Sequence, residues 1–173
     1  ELCEFFLPLV DRQVQLVAIG GGATIDMGGF LAATLLRGLP WVAIPTTLLA
    51  QVDACLGGKV AVNTDLGKNL IGQFHEPESI LIDTAFLESL PEREWESGMG
   101  EIIKYAFLSD EIHKKIMQSN FKLKEVISDC LEYKRKIVET DLRDRDKRQV
   151  LNFGHTFGND FKKVLNIFLK KHR

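Results

Sequence analysis

The sequence predicts an α/β fold in which part of a parallel sheet is followed by a mainly α-helical half. Three observations support this: a strand–glycine–helix stretch over residues 15–38, a second apolar strand directly after it, and a helical pattern from Leu87 onward. Apolar runs without strict alternation indicate strands buried on both faces, whereas charges at helical spacing indicate amphipathic helices. Because the composition changes near residue 86, from mainly small and apolar to richly charged, we expect one unit over 1–86 and a second over 87–173.

A glycine turn joins the first strand, Leu16 to Ile19, to a helix that we expect to end at Arg37, before Gly38. The turn and the first helical turns carry Gly20, Gly21, Gly22 and Asp26. Glycines let a backbone approach an anion and a helix N-terminus attracts negative charge, so this stretch suits a bound phosphate. A tight packing turn is the alternative, because Ile25 stands where the dinucleotide fingerprint has its last glycine.

A second strand, Trp41 to Ile44, is expected to run parallel to the first. It is followed by Thr46 and Thr47, and ligands of open α/β sheets bind at this C-terminal edge of the strands. A third short strand is predicted over Ser79 to Asp83, directly before Thr84. The sequence therefore predicts hydroxyl groups at one edge of the sheet.

Residues 53–69 are unusual because they hold two Gly-Lys pairs, Gly58-Lys59 and Gly67-Lys68, the second followed by Asn69. Lysines and amides on a flexible backbone are typical of sites for phosphorylated, hydroxylated molecules. A hairpin with surface lysines is the alternative, and the residues themselves leave both open. We expect residues 72–77 to form a loop after this segment.

The second half is predicted to open with a helix at Pro91-Glu92, because proline suits the first helical turn. Within it, Glu101 and Lys104 are three residues apart and share one face. The apolar surround makes Glu101 a candidate metal ligand or acid–base group, whereas the spacing alone favours an ordinary surface pair. A further amphipathic helix is predicted over Val126 to Val138.

Two histidines follow near the end of the chain, His155 and His172. Together with Glu101 they would supply one oxygen and two imidazole nitrogens, a set typical of catalytic zinc with one position left for substrate. The spacing leaves open whether the three residues converge.

Composition narrows the function classes. The chain is 45% hydrophobic and 27% charged, with a net charge of −2, as in an ordinary globular protein. Residues 1–86 hold 4 basic and 9 acidic residues (−5), and residues 87–173 hold 18 and 15 (+3). Because the basic residues are interleaved with acids, nucleic-acid binding is disfavoured. No apolar run suits a membrane span, and three dispersed cysteines favour reduced thiols in the cytoplasm.

Seven collinear motifs between Leu16 and Gly158 resemble those of the 3-dehydroquinate synthase family of sugar-phosphate cyclases. The motifs are GGGATIDMGGF, the Arg37-Gly38 pair, IPTTLLAQVD, GGKVAVNT, GKNLIGQFHEP, GMGEIIKYA and LNFGHTFG. The resemblance implies an NAD-binding α/β domain, a helical zinc-carrying domain and a catalytic cleft between them. It also implies that 3-deoxy-D-arabino-heptulosonate 7-phosphate is converted to 3-dehydroquinate and phosphate, with NAD oxidising a ring hydroxyl transiently.

The resemblance further implies a role for each matching residue. Dinucleotide binding is assigned to Gly20, Gly21, Gly22, Asp26, Thr46, Thr47, Lys68 and Thr84. Catalysis and substrate contact are assigned to Asp53, Lys59, Asn69, Lys104, Lys134, Arg148 and Asn152, and phosphate contact to Arg37, from the neighbouring subunit of a homodimer. Zinc, or Co2+ in its place, is assigned to Glu101, His155 and His172.

The chain also departs from the family pattern. Asn159 stands where the family has a second histidine, and an amide cannot act as an acid or base near neutral pH. With Glu1 and Arg173 as its ends, the chain is expected to be a central fragment truncated on both sides. The alternatives are another sugar-phosphate cyclase or a metal-dependent polyol dehydrogenase of the same architecture, and a non-catalytic remnant that only binds nucleotide.

Overall fold

The computed structural model describes residues 2–141 and 147–152. The first half alternates strands and helices, in the order α1 (Leu2–Phe6), β1 (Leu16–Gly20), α2 (Gly22–Thr34), β2 (Trp41–Pro45), β3 (Lys59–Thr64), β4 (Gly67–Phe74) and β5 (Ser79–Ile80). The second half is helical, with α3 (Glu92–Leu108), α4 (Asp110–Ile116) and α5 (Leu123–Thr140). Short 3-10 segments cover Leu7–Leu9, Leu35–Arg37, Thr84–Leu87 and Lys147–Asn152, and Ala50–Ala54 forms one π-helical turn.

The predicted strand–helix–strand unit is confirmed. Strands β1, β2 and β5 form a parallel sheet in the order β1-β2-β5, and β1 pairs with β2 from Leu16 opposite Trp41 to Gly20 opposite Pro45. Strands β3 and β4 form a separate antiparallel hairpin. The carboxyl ends of β1 and β2 therefore lie at one edge, followed by the glycine turn and by the two threonines.

Helix α2 packs closely on one face of the sheet because its contact positions are small. A Cβ on Gly28 would lie 2.6 Å from the Cβ of Ala18, and a Cβ on Gly29 would overlap Val60 and Trp41. The core on this side consists of Ala18, Ile25, Ala32, Ala33, Trp41, Ala43 and Val60. The close approach fixes the start of α2, and with it Asp26, against the carboxyl edge of the sheet.

The expectation that the first strand is buried on both faces is wrong. Val17 and Ile19 are 50% and 56% exposed. Their side chains point away from the face that carries Ala18 and α2, because successive residues of a strand alternate in direction. Among the described residues, no helix covers this second face of β1.

Three predicted boundaries also shift. The α-helix ends at Thr34 rather than Arg37, because Leu36 and Arg37 have φ angles of 50° and 71°. The third strand spans Ser79–Ile80, since Asp83 instead accepts the Ala85 N–H and starts a 3-10 turn. Strand β4 continues to Phe74, into the predicted loop over residues 72–77.

The helical half encloses a core of its own, and the predicted helices are confirmed. Helix α3 begins after Pro91, and α5 contains the predicted stretch 126–138. The core joins Leu48 and Val52, from the segment after β2, to the helices; its helical members include Ile102, Tyr105, Ile112, Val126 and Cys130. Since this core holds the π-helical turn, it fixes Asp53. Within the described ranges, no helix has the length and apolar character that a membrane crossing requires.

Candidate active site

Asp53, whose side chain is 30% exposed, is the centre of a largely buried polar cluster. It lies in the π-helical turn, a form that often occurs at functional sites. Its Oδ1 accepts a hydrogen bond from the Tyr105 hydroxyl at 2.8 Å and contacts the Lys134 Nζ at 2.8 Å. The same ammonium donates to the Asp53 carbonyl oxygen at 2.6 Å. Helices α3 and α5 therefore hold this carboxylate from two sides.

The surrounding charges keep Asp53 ionised. Burial opposes ionisation, but Lys134 and then Lys104, together with hydrogen bonds from Lys134 and Tyr105, outweigh it and hold the pKa of Asp53 below its usual range. Burial, and next the Asp53 charge, raise the pKa of Tyr105, so its phenol keeps its proton. The cluster thus contains a fixed anion with two fixed donors.

Glu101 and Lys104 form a second, neighbouring pair on α3. Their side chains are 15% and 5% exposed and make an ion pair, so the interpretation as an ordinary surface pair is wrong. Lys104 Nζ also donates to the Leu151 carbonyl at 2.9 Å. Burial, followed by the charge of Asp53, raises the pKa of Glu101. Spacing could not reveal this, because the covering atoms come from residues far away in sequence.

A cleft of about 610 Å³ lies next to Asp53. Among the residues predicted to contact substrate, five line it: Asp53, Lys59, Asn69, Lys134 and Arg148. Asp26 of α2 lines it as well, together with residues 70 and 72–74 of the hairpin. The structure therefore brings side chains from α2, the π-helical turn, the hairpin and two distant parts of the helical half to one opening.

Arg148 and the start of the hairpin meet closely. The Arg148 Nη2 donates to the Gly57 carbonyl at 2.9 Å, and the Arg148 N–H donates to Asp141 Oδ2 at 3.1 Å. Gly57 has a φ of 99°, and a Cβ there would overlap the guanidinium. Only glycine suits both conditions without strain. This explains why the motif needs glycine at position 57, two residues before the hairpin.

The hairpin predicted as one alternative for residues 53–69 is present, and it also forms a wall of the cleft. Lys59 begins β3, opposite Phe74 of β4. Asn69 has a φ of 56° and its N–H donates to Asn63 Oδ1 at 3.1 Å. Lys68 is exposed and does not line the cleft. The hairpin is therefore confirmed, whereas ligand contact by this segment stays a prediction.

The glycine turn and the threonines lie at the same sheet edge. The Thr46 N–H donates to the Gly20 carbonyl at 2.8 Å, and a Cβ on Gly21 would lie 3.0 Å from the Thr47 Cγ2. The Thr47 hydroxyl accepts the Ala50 N–H at 3.2 Å. Helix α2 starts at Gly22 without a side-chain cap, so its first N–H groups suit an anion.

Gln51, which the sequence analysis did not select, connects two segments at this edge of the sheet. It is fully buried, and its Nε2 donates to the Pro45 carbonyl at 3.1 Å and to the Asp83 carbonyl at 2.8 Å. It thereby ties the end of β2 to the segment that carries Thr84. A glutamine in an apolar run after two threonines was the available signal, since a buried amide needs partners.

Asp26 faces the cluster from α2. Burial is the main cause that raises its pKa to about 6, with Lys134 lowering it and the Asp53 charge raising it further. The carboxyl is therefore poised to change charge in a mildly acidic solution. Ionisable groups with perturbed pKa values gather at functional sites, so Asp26 is a candidate site residue.

The remaining predicted residues lie elsewhere. Arg37 is exposed at the end of the 3-10 segment that follows α2 and, with Arg12, lines a separate hollow of about 480 Å³. Asn152 is exposed at the end of the last 3-10 segment. His155 and His172 lie outside the described residues, as does Asn159.

The predicted metal ligands are accordingly represented by Glu101 alone. Over residues 2–141 and 147–152, no three histidine, cysteine or acidic side chains gather as a metal would require. The Glu101 Oε1 is buried and, apart from its ion pair with Lys104, has no hydrogen bond in the described part of the chain. A buried carboxylate is a ligand type that zinc accepts, but in the described part of the chain this oxygen is paired with the Lys104 ammonium.

Two family models match consecutive parts of the chain, 3-dehydroquinate synthase N-terminal over residues 4–97 and 3-dehydroquinate synthase C-terminal over residues 98–172. The 3-dehydroquinate synthases of Solibacter usitatus and Chlorobium luteolum are 47% and 44% identical over 158 and 173 residues. These alignments cover 86% and 94% of this chain but 44% and 48% of the relatives. The chain thus spans less than half the length of these curated relatives.

Solved structures share the fold. A 2-deoxy-scyllo-inosose synthase complexed with carbaglucose-6-phosphate, NAD+ and Co2+ gives a TM-score of 0.77 at 29% identity, covering 91% of this chain and 46% of that one. The 2-epi-5-epi-valiolone synthase of Streptomyces hygroscopicus subsp. jinggangensis 5008, with NAD+ and Zn2+ bound, gives 0.74 at 26%, covering 90% and 47%. The fold class and the family resemblance drawn from the sequence are therefore confirmed.

Proposed function

Because the chain belongs to the 3-dehydroquinate synthase family, we propose that it contributes to the conversion of 3-deoxy-D-arabino-heptulosonate 7-phosphate to 3-dehydroquinate and phosphate. The observation that carries the proposal is the cleft beside Asp53, where three cations and an amide meet a fixed carboxylate. Such a set suits a substrate with a phosphate and several hydroxyl groups. The reaction type is proposed from the homologous 3-dehydroquinate synthases named above.

The chain's own residues would act by binding and by electrostatics. Lys59, Lys134 and Arg148 would attract the phosphorylated substrate, and the charged Asp53 would accept a hydrogen bond from a substrate hydroxyl. Lys134 holds Asp53 through two contacts, so its loss would free the carboxylate as well as remove a charge. Arg148 is braced against the Gly57 carbonyl, which restricts its guanidinium.

Two cofactors are part of the proposal. NAD would lie on the Gly20–Gly22 turn and beside Asp26, Thr46, Thr47 and Thr84, and it would carry the transient oxidation of the substrate. Lys68 would reach it from the hairpin. Glu101, with His155 and His172, would hold zinc or Co2+, which supplies Lewis-acid polarisation of a substrate oxygen. The structures with bound NAD+ and Zn2+ or Co2+ support this choice.

The larger organisation also belongs to the proposal. Residues 1–86 would form part of the NAD-binding unit and residues 87–173 part of the zinc and substrate unit. Arg37, which lies away from this chain's own cleft, would contact phosphate from the partner in a homodimer. A cytoplasmic location is supported by three free cysteines.

Phosphate release tests the proposal. The chain is incubated with the heptulosonate phosphate, NAD and zinc, and both phosphate and NADH are followed. We expect phosphate without net NADH, reduced about 100-fold or more in Lys134→Ala. Lys136→Ala is the matched control, because Lys136 is on the same helix but exposed and paired with Glu132; we expect it within about twofold of wild type.

Other outcomes contradict the proposal. NADH that accumulates in proportion to substrate, without phosphate, would indicate a polyol dehydrogenase. Bound NAD without any turnover would indicate the non-catalytic alternative. Equal losses in the two lysine variants would remove the role given to Lys134.

A further inference from the structure

The Tyr105 hydroxyl is a polar group that the proposed reaction does not yet use. Tyr105 lies on α3, one residue after Lys104 and four after Glu101, and its side chain is fully buried. Its hydroxyl donates to Asp53 Oδ1 at 2.8 Å, across 52 residues of sequence. A buried phenol normally finds one hydrogen-bond partner, and this one has found the carboxylate at the edge of the cleft.

The two carboxylate oxygens of Asp53 differ in their hydrogen-bond partners. Oδ1 receives the Tyr105 hydroxyl and the Lys134 ammonium, both at 2.8 Å. Over the described ranges, Oδ2 has no hydrogen bond, while Asp53 itself lines the cleft. A carboxylate has four lone-pair sites, so Oδ2 keeps its full capacity to accept a bond from a ligand.

The tyrosine ring is held so that its hydroxyl cannot swing away. Tyr133 packs edge-on against it, with ring centroids 5.9 Å apart and planes at 75°. The Lys104 Nζ lies 4.9 Å from the ring centroid. A closely packed aromatic ring with a cation near it has little rotational freedom, so the direction of the hydroxyl follows from the core.

We propose that Tyr105 is a positioning residue, whose hydroxyl, with Lys134, saturates Asp53 Oδ1 and leaves Oδ2 to accept a hydrogen bond from a hydroxyl group of the ligand in the cleft. The inference rests on the proposed function for the identity of that ligand, a polyhydroxylated sugar phosphate. It assigns Tyr105 no contact with the substrate. Its effect passes through Asp53 alone.

A double-mutant cycle tests this dependence in the full chain. Tyr105→Phe removes one oxygen and keeps the ring; we expect kcat to fall about tenfold while KM changes less than about threefold. In the Asp53→Asn background we expect Tyr105→Phe to lower kcat by less than about twofold, because the carboxylate that Tyr105 orients is already absent. If Tyr105 acted only by packing, Tyr105→Phe would lower kcat by the same factor in both backgrounds.

The chain offers a matched control, since its only other tyrosine is Tyr133. Tyr133→Phe makes the same chemical change on the packing partner, and we expect activity within about twofold of wild type. Equal losses in the two phenylalanine variants, or an unchanged Tyr105→Phe, would overturn the proposal.

A measurement without turnover separates this inference from the proposed reaction. With 13Cζ-labelled tyrosine, Asp53→Asn should shift the Tyr105 resonance and leave that of Tyr133 in place; no shift at Tyr105 would overturn the positioning role. If wild type releases no phosphate, the proposed reaction falls, and the cycle is then scored on calorimetric binding of the sugar phosphate. A loss of affinity in Tyr105→Phe that vanishes with Asn at position 53 would support the inference, and a loss that persists would overturn it.

Discussion

Lys104→Met should destabilise the fold by removing a charge without leaving a cavity. Methionine is unbranched and nearly as long as the lysine stem, so packing is largely kept. Glu101 is then left buried without its cation, and the Leu151 carbonyl loses its donor. Breaking a buried pair costs about 3–5 kcal/mol. Because the Glu101 side chain keeps 15% exposure, we take the lower limit, about 3 kcal/mol. For a chain of this length that is about 6–12 °C in Tm.

Urea unfolding with a chelator present, at pH 7 and pH 4, measures the effect. Glu101 has an ordinary pKa of 4.5 when unfolded, and burial raises it in the fold. Loss of Lys104 raises it further, so the penalty should be largest well above pH 4.5 and shrink toward pH 4, where the carboxyl is mostly protonated in both states. Glu101→Met/Lys104→Met should lie within about 1 kcal/mol of wild type. A deficit below about 1 kcal/mol in the single variant, or a double variant as unstable as the single, would refute the reasoning.

Two further changes should affect stability, each read by urea unfolding. Gly57→Ala should cost about 2 kcal/mol, because φ is 99° there and the new Cβ overlaps Arg148; Gly100→Ala, in helix α3 with open space, should instead stabilise by up to about 1 kcal/mol. Asp26→Asn should stabilise at pH 7 by about 1 kcal/mol after allowance for solvent screening, since burial raises the Asp26 pKa to about 6. The wild-type penalty develops as pH rises from about 4 to 6, so the gain should vanish below pH 4, and a gain that persists there would contradict this cause.

Local signals predicted several elements correctly because the causes are local. Pro91 and the acids after it mark the start of α3, and the small residues of α2 mark the helix that packs closest to the sheet. The motif residues Asp53, Lys59 and Lys134 could be selected for the same reason: their types and order follow a family pattern. Their roles in catalysis stay predictions, although the fold places them at one cleft.

Other features could not be predicted because distant parts of the chain decide them. Glu101 and Lys104 would have the same spacing on α3 whether the pair were exposed or buried. The contact of Lys104 with the Leu151 carbonyl, 47 residues away, shows that the pair is buried. The same holds for β1: its apolar run predicts burial on both faces, but in the described part of the chain a helix covers only the face that carries Ala18.

The sequence alone determined the class of fold, the parallel order of its first two strands and the family to which the chain belongs. These properties depend on patterns of a few neighbouring residues, and such patterns can be recognised without the tertiary structure. Only the tertiary structure decided that Tyr105 and Lys134 share one oxygen of Asp53, and that Arg148 reaches the Gly57 carbonyl. The physical reason is that hydrogen bonds and desolvation act over a few ångströms in space, whatever the separation along the chain.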